Sequence, residues 1–565
     1  MSRWRHLTVA VLFVSGCLAL ATRVSYLTVT ERDFLLKQGN ARSIRTEEFP
    51  AFRGGIFDRH GAPLALSTPV SAVWIDPSRT SLSAAQQAQI ARVLKLYPTA
   101  LQRTLSRAQG REFVYLKRRI GARLREQLEG LAIDGLEFRR EYRRFYPGAE
   151  SAAHVVGQTG YDDVGLEGVE LAFDPHLRGS SGAKKVLKAR DGRVMSVLEY
   201  LRPAKTGTDL TLTIDHRLQY FAYQELKSAV AGQDARAASV VLLDARSGDI
   251  LALANEPSYN PNDLQLDGFD PVRNRAVTDV LEPGSTIKPF TALAALESGR
   301  YQQDSAIDTA PGYLRVGRKL VEDPVNRGTI TLARALAKSS QVAMAKVALD
   351  LGEQAVFDVL SRAGFGRFPG TGLPGESGGF LSDEGLRREI NRVTLAYGYG
   401  LSASPLQLAA AYLTLANDGQ SLPVSILRRD RVPEARPAFD PAHTRAVLQM
   451  MERVTADDGT APLARIPGYR VAGKTGTARK LVDGRYDDER HVALFAGVAP
   501  ITDPRIVLVV VVDEPGTAAT GGGATAAPVF ARIGERALRL LSVPPDGTPA
   551  LAVAGIASRS EGLER

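Results

Sequence analysis

The hydrophobic pattern of this 565-residue chain opens on a long apolar run, residues 7–22, broken at Arg23 and resumed through Tyr26, Leu27 and Val29. The run covers about 24 Å at ~1.5 Å per residue, and a snorkelling Arg23 with an interfacial Tyr26 extends it toward the ~30 Å of a bilayer core, so one membrane-spanning helix is expected. Arg3, Arg5 and His6 ahead of it place the N-terminus in the cytoplasm. The next strong apolar run, residues 506–512, is long enough only for a strand, so the rest of the chain is expected outside the cytoplasm. A cleaved lipoprotein signal with a lipidated Cys17 is the alternative reading of the same stretch.

Beyond this anchor the period shifts repeatedly. Glycine turns and alternating apolar positions over residues 53–65 predict a strand pair. Helical spacing follows at 83–97 and 120–131, and residues 138–146 read as a half-exposed strand. A composition shift at Arg202-Pro203-Ala204-Lys205-Thr206-Gly207 marks a domain boundary, followed by a strand over 209–215 and a helix over 217–230. Residues 238–244 and 249–254 predict two strands joined by a hairpin turn, and helices dominate the middle of the domain. Three successive antiparallel strands, 469–472, 491–498 and 505–512, and a helix over 527–541 close it. The expected organisation is therefore an anchor over 1–30, a first domain over 31–205, a second over 206–545 and a disordered tail over 546–565.

Composition supports a multidomain globular protein, since 44% hydrophobic and 24% charged residues are ordinary and 565 residues exceed one core. The net charge of +9 is spread along the chain and argues for no more than mild attraction to anionic surfaces. Arginines and aromatics interleave over 138–146 as in a single-strand binder, but no nucleic-acid module surrounds them, and no nucleic-acid partner is expected. One cysteine excludes intrachain disulfides, and the seven histidines show no ligand cluster, so no metal or cofactor is expected.

Chemistry enters at Ser285-Thr286-Ile287-Lys288, which sets a hydroxyl one helical turn from an amine. Residues three apart share a helix face, so Lys288 is expected to reach Ser285 Oγ and, kept neutral by burial, to take its proton. The tetrad alone is a weak signal, for it recurs at Ser181 and Lys184, near a second Lys-Thr-Gly-Thr at Lys205 to Thr208. Ser285 differs in its company, Ser339-Ser340-Gln341 and Lys474-Thr475-Gly476-Thr477 downstream, whereas no catalytic domain fits between Ser181 and Lys205. Gly468 to Thr475 also satisfies the phosphate-loop pattern G-x-x-x-x-G-K-[ST]. Such a loop must follow a strand and open a helix, whereas Tyr469 and Val471 read as the strand itself and Gly476 would spoil the first helical turn.

The three co-linear motifs are the signature set of class A β-lactamases and penicillin-binding proteins, which the chain resembles. The glycine-rich opening at 53–65, Gly165-Leu166-Glu167-Gly168-Val169-Glu170, and Tyr397-Gly398-Tyr399-Gly400-Leu401-Ser402 with Pro405-Leu406-Gln407 resemble a class B penicillin-binding protein of the cell-division type, from about residue 5 to 540. The resemblance implies an α+β fold with a single N-terminal transmembrane helix and an elongated, non-catalytic pedestal domain. It also implies a penicillin-binding, serine β-lactamase-like transpeptidase domain with a five-stranded antiparallel sheet and a helical lobe. The implied activity is a peptidoglycan D,D-transpeptidase that cross-links stem peptides through a Ser285 acyl-enzyme in septal wall synthesis and is a target of β-lactams.

In the implied roles, Ser285 attacks the penultimate D-alanine carbonyl, Lys288 accepts its proton, Ser339 relays a proton to the leaving D-alanine, and Lys474 lowers the Lys288 pKa. Backbone N–H groups of Ser285 and Thr477 form the oxyanion hole, while Lys474, Thr475, Gly476 and Thr477 pair with the substrate backbone and Thr475 or Thr477 holds its terminal carboxylate. Gln341 is expected to bind substrate where the family pattern has asparagine, with an amide about 1.5 Å further out. Near residues 518–523 the chain lacks the aromatics usual in division-type proteins. The implied partners are D-Ala-D-Ala donor and amine acceptor peptides, β-lactams, the inner membrane through one helix with the catalytic domain in the periplasm, a membrane-embedded glycan polymerase and division proteins. A D,D-carboxypeptidase, a β-lactamase, a β-lactam sensor and a catalytically silent scaffold remain as alternatives, although a sensor would need more cytoplasmic chain than precedes the anchor.

Overall fold

The computed structural model describes residues 2–547 except 79, 109, 190–193, 264–267, 269, 483–484 and 517–520. Most of the tail expected to be disordered lies outside the described residues, as does half of the segment at 518–523. The chain forms two compact units and passes between them repeatedly: Met1–Gly54, Ser67–Arg143 and Arg178–Thr208 make the first, and Gly55–Leu66, Arg144–Leu177 and Asp209–Arg565 the second. A division at one point near residue 205 thus does not describe the folded units. The short segments join the second unit because Ile56, Leu64, Val155, Val169 and Leu177 are apolar and enter its core.

In the first unit the helix Ser2–Ser25 is followed by a π-helical turn, Tyr26–Thr30, and residues Arg3–Thr30 are long and apolar enough to cross a membrane. A three-stranded sheet pairs Ile44–Phe49 with Gly182–Lys188 and that strand with Val194–Arg202. The helix expected over 83–97 spans Ala84–Leu94, fixed by a capping box between Ser83 and Gln86. That expected over 120–131 spans Ala122–Glu129, because Ile120 ends the strand Val114–Ile120.

The second unit is built on five antiparallel strands: β1 (Ala237–Asp244), β2 (Ile250–Glu256), β3 (Ala472–Val482), β4 (Arg485–Ala499) and β5 (Ile506–Asp513), in the order β2-β1-β5-β4-β3. Period-two alternation sorts their side chains: Val241, Leu243, Leu494, Val509 and Val511 face one core, and Val240, Leu242, Phe495, Leu508 and Val510 the other. Helices α1 (His216–Gln233) and α7 (Ala526–Leu540) cover the second face. A helical lobe covers the first, including α2 (Lys288–Glu297), α3 (Leu332–Ala337), α4 (Gln341–Leu351), α5 (Pro405–Ala416) and α6 (Pro441–Glu452).

Two expected strands are corrected. Over 209–215 only Leu210–Thr211 is strand, because Asp209 bonds Gly55 N–H at 2.6 Å and Asp215 caps α1, drawing the chain out of the sheet. The strand expected at 469–472 instead begins at Ala472 and carries Lys474 to Thr477 within it, which also removes the phosphate-loop reading, since no helix opens there.

Candidate active site

The site forms where the turn bearing Ser285 wedges against strand β3. Residues Gly284–Ile287 make a single 3₁₀ turn that runs into α2, whose first turn carries Pro289. The turn is held on both sides by close approaches that only glycine permits. A Cβ on Gly398 would lie 1.9 Å from Gly284 O, and one on Gly476 would lie 2.9 Å from Thr286 Cγ2. Gly284 N–H donates to Gly398 O at 3.1 Å, and the buried Tyr412 hydroxyl donates to Thr286 O at 2.8 Å. Ser285 is left half-buried between buried Gly284 and Thr286.

Lys288 is fully buried, but its amine does not bond to Ser285 Oγ as the spacing implied. It donates to Ser339 O at 2.5 Å and Ser339 Oγ at 3.0 Å. Lys474, also fully buried, donates to the same Ser339 Oγ at 3.0 Å and to Thr475 Oγ1 at 3.2 Å. One hydroxyl therefore joins the two amines. Burial pushes the Lys288 amine down to about 7, with the Asp323 carboxylate opposing the fall. Burial also holds Lys474 well below the usual lysine range, and the neighbouring Lys288 charge adds to the depression. Two ammonium groups on one buried hydroxyl are unfavourable, so the pair sheds a proton and supplies a neutral amine near neutral pH.

Ser339 occupies the junction of α3 and α4 with φ +58°, a left-handed conformation that costs a non-glycine residue energy. The fold holds it there through the start of α4. Ser340 caps that helix by accepting from Ala343 N–H at 3.0 Å, and Asp323 accepts from the Ser340 hydroxyl and from the N–H groups of Gln341 at 2.6 Å and Val342 at 3.3 Å. Gln341 thus has a fixed backbone, while its half-buried side-chain amide makes no hydrogen bond among the described residues.

Along β3, Thr475 Oγ1 lies 3.2 Å from Thr460 Oγ1, Gly476 passes against the Ser285 turn, and exposed Thr477 accepts from Gly522 N–H at 3.4 Å. The structure links Lys288, Ser339, Lys474 and Thr475 by hydrogen bonds into one cluster, with Gly476 against the Ser285 turn and Gln341 and Thr477 adjoining it in the chain. Asp323 and Thr460 belong to it as well and were not read from the sequence, because neither sits in a recognisable spacing. Among the described residues, the cluster Asp58, Asp215 and His216 has donor atoms within metal-ligating reach of one another. Its oxygens are already engaged: Asp58 accepts from Ala62 N–H and pairs with His216, while Asp215 caps α1. Burial would raise the Asp215 carboxyl, but hydrogen bonds and charge from Arg217 outweigh it and hold the group at about 2.

Residues 238–535 match the penicillin binding protein transpeptidase domain, and residues 48–212 the penicillin-binding protein dimerisation domain. The chain is 38% identical over 554 residues to the probable peptidoglycan D,D-transpeptidase PbpC of Pseudomonas aeruginosa, covering 97% of this chain and 98% of that one. It is 39% identical over 542 residues to the peptidoglycan D,D-transpeptidase FtsI of Escherichia coli, covering 94% and 92%. Among solved structures, penicillin binding protein 3 of Mycobacterium tuberculosis complexed with aztreonam superposes with a TM-score of 0.69 at 28% identity, covering 89% of this chain and 98% of that one.

Proposed function

The chain belongs to the class B penicillin-binding proteins, and on that premise we propose that it is a serine-type peptidoglycan D,D-transpeptidase whose nucleophile is Ser285. The observation that carries the assignment is the single hydroxyl of Ser339 held by two buried amines, Lys288 and Lys474, beside the Ser285 turn. A neutral amine in that group gives the serine somewhere to send its proton, and the hydroxyl gives the proton a path.

Ser285 Oγ attacks the penultimate D-alanine carbonyl and passes its proton to the neutral Lys288 amine. The backbone N–H groups of Ser285 and Thr477 receive the developing oxyanion, which forms in a site walled by β3. The carbon–nitrogen bond breaks, a proton reaches the departing amine through Ser339, and D-alanine leaves an ester on Ser285. An amine from a second stem peptide attacks that ester, the new amide forms, and Ser285 regains its proton. The donor lies antiparallel to β3, whose outer edge has no partner strand among the described residues, with its terminal carboxylate at Thr475 or Thr477 and its backbone beside the Gln341 amide. β-Lactams acylate the same serine.

The protein works in septal wall synthesis, as a single-pass inner-membrane protein with its catalytic unit in the periplasm. Its partners are a membrane-embedded glycan polymerase and division proteins. The apolar helix Arg3–Thr30 and the basic residues before the apolar run support this topology. The test is labelling of the detergent-solubilised full chain with a fluorescent penicillin, comparing the parent with Ser285→Ala. Stable label that vanishes in Ser285→Ala is expected. A folded parent that takes no label overturns the reading in favour of a silent scaffold, and label that falls off within minutes indicates a hydrolase.

A further inference from the structure

The charge expected to be spread along the chain is divided between the two units. The first holds 30 lysines and arginines against 13 aspartates and glutamates, a net of +17, and the second holds 41 against 49, a net of −8. Part of the first unit's excess surrounds an apolar surface. In its three-stranded sheet the strand Val194–Arg202 is exposed at every position, and its outer edge has no partner strand among the described residues. Val194, Met195, Val197, Leu198, Tyr200 and Leu201 are 41–68% exposed. Edge strands of soluble proteins carry charge or proline that discourages pairing, whereas the charged residues of this one are Glu199 and Arg202 alone. An apolar strand bare on both faces and along one edge needs a cover.

The sheet adjoins the membrane anchor. Arg3–Thr30 is the segment able to cross a bilayer, the helix Arg32–Ser43 follows it, and Ile44–Phe49 begins at the next residue. The 12 residues of that helix span about 18 Å, so the sheet starts within about 20 Å of the end of the crossing segment. Ile44 pairs with Leu187, Leu187 with Ser196 and Lys188 with Val194, so the end of the sheet that the chain enters from the anchor also carries Lys188, Val194 and Met195. The connecting helix exposes Phe34 and Leu35, apolar side chains suited to a headgroup layer. Charge points the same way. Among the described residues of Arg178–Thr208, six basic side chains stand against one acidic one, Glu199. Lys184 and Lys188 pair with Glu47, Lys185 with Glu199 and Arg202 with Glu48, at 2.8–4.0 Å, and each of these carboxylates is open to solvent, so lipid phosphates can take their place. Exposed apolar residues flanked by lysines bind anionic bilayers. The strand's unpaired backbone groups limit the depth to the headgroup layer, where water still reaches them.

We infer that the edge strand Val194–Arg202 and the lysines of Gly182–Lys188 dock on a bilayer surface bearing anionic phospholipids, beside the protein's own anchor. This docking goes beyond the transpeptidase reading and does not depend on it. The test uses the full chain in lipid nanodiscs, with Cys17→Ser to remove the only cysteine and Met195→Cys to carry an environment-sensitive fluorophore. The discs contain phosphatidylcholine alone or mixed with phosphatidylglycerol, and brominated acyl chains serve as the quencher from the lipid side and iodide as the quencher from the water. In the phosphatidylglycerol discs the label is expected to be quenched by brominated lipid and shielded from iodide, and less so in phosphatidylcholine. Replacing Lys184→Gln, Lys185→Gln and Lys188→Gln together, in a protein whose melting temperature matches the parent, lowers the docked-to-undocked ratio in the phosphatidylglycerol discs about tenfold. A label that stays open to iodide in both kinds of disc overturns the docking and leaves the strand to a protein or glycan partner. Quenching that is equal in the two lipids and unmoved by the triple lysine variant overturns the choice of an anionic surface, and the proposal with it.

Discussion

The chain carries the same tetrad twice, and the two copies have opposite fates. Ser181 and Lys184 flank the start of the strand Gly182–Lys188, where residues three apart point to opposite faces, so the amine turns away from the hydroxyl and toward Glu47 at 3.9 Å. A Lys-Thr-Gly-Thr lies beside this copy too, since Ser180 and Lys205 exchange backbone hydrogen bonds at 2.9 Å, yet Lys205 is exposed and Lys184 is only half-buried. At Ser285 the turn is helical, both lysines are fully buried, and a third element brings Ser339 between them. Motif and proximity are thus common to both places. Burial of the amines is what separates chemistry from coincidence, because only a desolvated lysine is neutral enough to act as a base.

The largest effect expected from this contrast comes from removing the amines. Lys288→Met is expected to lower the penicillin acylation rate at least a thousandfold while raising stability at pH 7 by on the order of 2 kcal/mol, the relief of a buried amine less the hydrogen bonds lost at Ser339. Because the folded pKa lies below the unfolded value, the native state resists protonation, and its stability rises with pH between about 7 and the ordinary lysine range. The stability gain of the methionine variant should therefore shrink as pH climbs toward 10, as thermal melts across pH can show. Lys184→Met should change stability by no more than about 0.5 kcal/mol and leave labelling unaltered. A Lys288→Met variant that melts lower than the parent at pH 7 would remove the burial argument.

Asp323 gives an intermediate effect. Its carboxylate fixes Ser340 and the first N–H groups of α4, and it favours the charged form of Lys288. Asp323→Asn should cost about 1 kcal/mol of stability and slow acylation roughly tenfold at its optimum. It should also move the acid limb of the pH–rate profile, set near 7 by Lys288 in the parent, to lower pH, since a cation loses its nearby anion. A profile that stays put, or moves upward, contradicts the assignment of that limb to Lys288.

These residues also show what the sequence could reveal. The sheet's inner strands were legible because β5 is apolar on both faces and β1 nearly so, as burial on two sides demands. Strand β3 was misplaced because it is the sheet's edge: with no partner strand on one side among the described residues, it need not be apolar, and Lys474, Thr475, Thr477 and Arg479 conceal its period. The segment at 209–215 read as a strand because side-chain caps at Asp209 and Asp215 leave no trace in hydrophobic periodicity. Ser285 and both lysines were legible as motifs. Asp323 was not, because it reaches Ser340 and Gln341 only after the short hairpin Tyr313–Val316 and Lys319–Glu322 folds it back on α4.

The smallest effect is expected at Gln341. Its backbone N–H is held by Asp323 at 2.6 Å, while its side-chain amide has no hydrogen-bond partner among the described residues, so shortening it breaks no bond among them. Gln341→Asn should leave the melting temperature within about a degree. If the amide bonds the donor backbone in its present position, withdrawing it by about 1.5 Å forfeits one neutral hydrogen bond of about 0.5–1.5 kcal/mol, a two- to tenfold fall in kcat/KM for donor peptide. Penicillin acylation should fall by a different factor, because the rigid bicyclic ligand and the flexible peptide place their amides differently. Were the asparagine variant instead faster with both, the glutamine would stand too close to the acyl group, and the contact between its amide and the donor would be a clash that asparagine relieves.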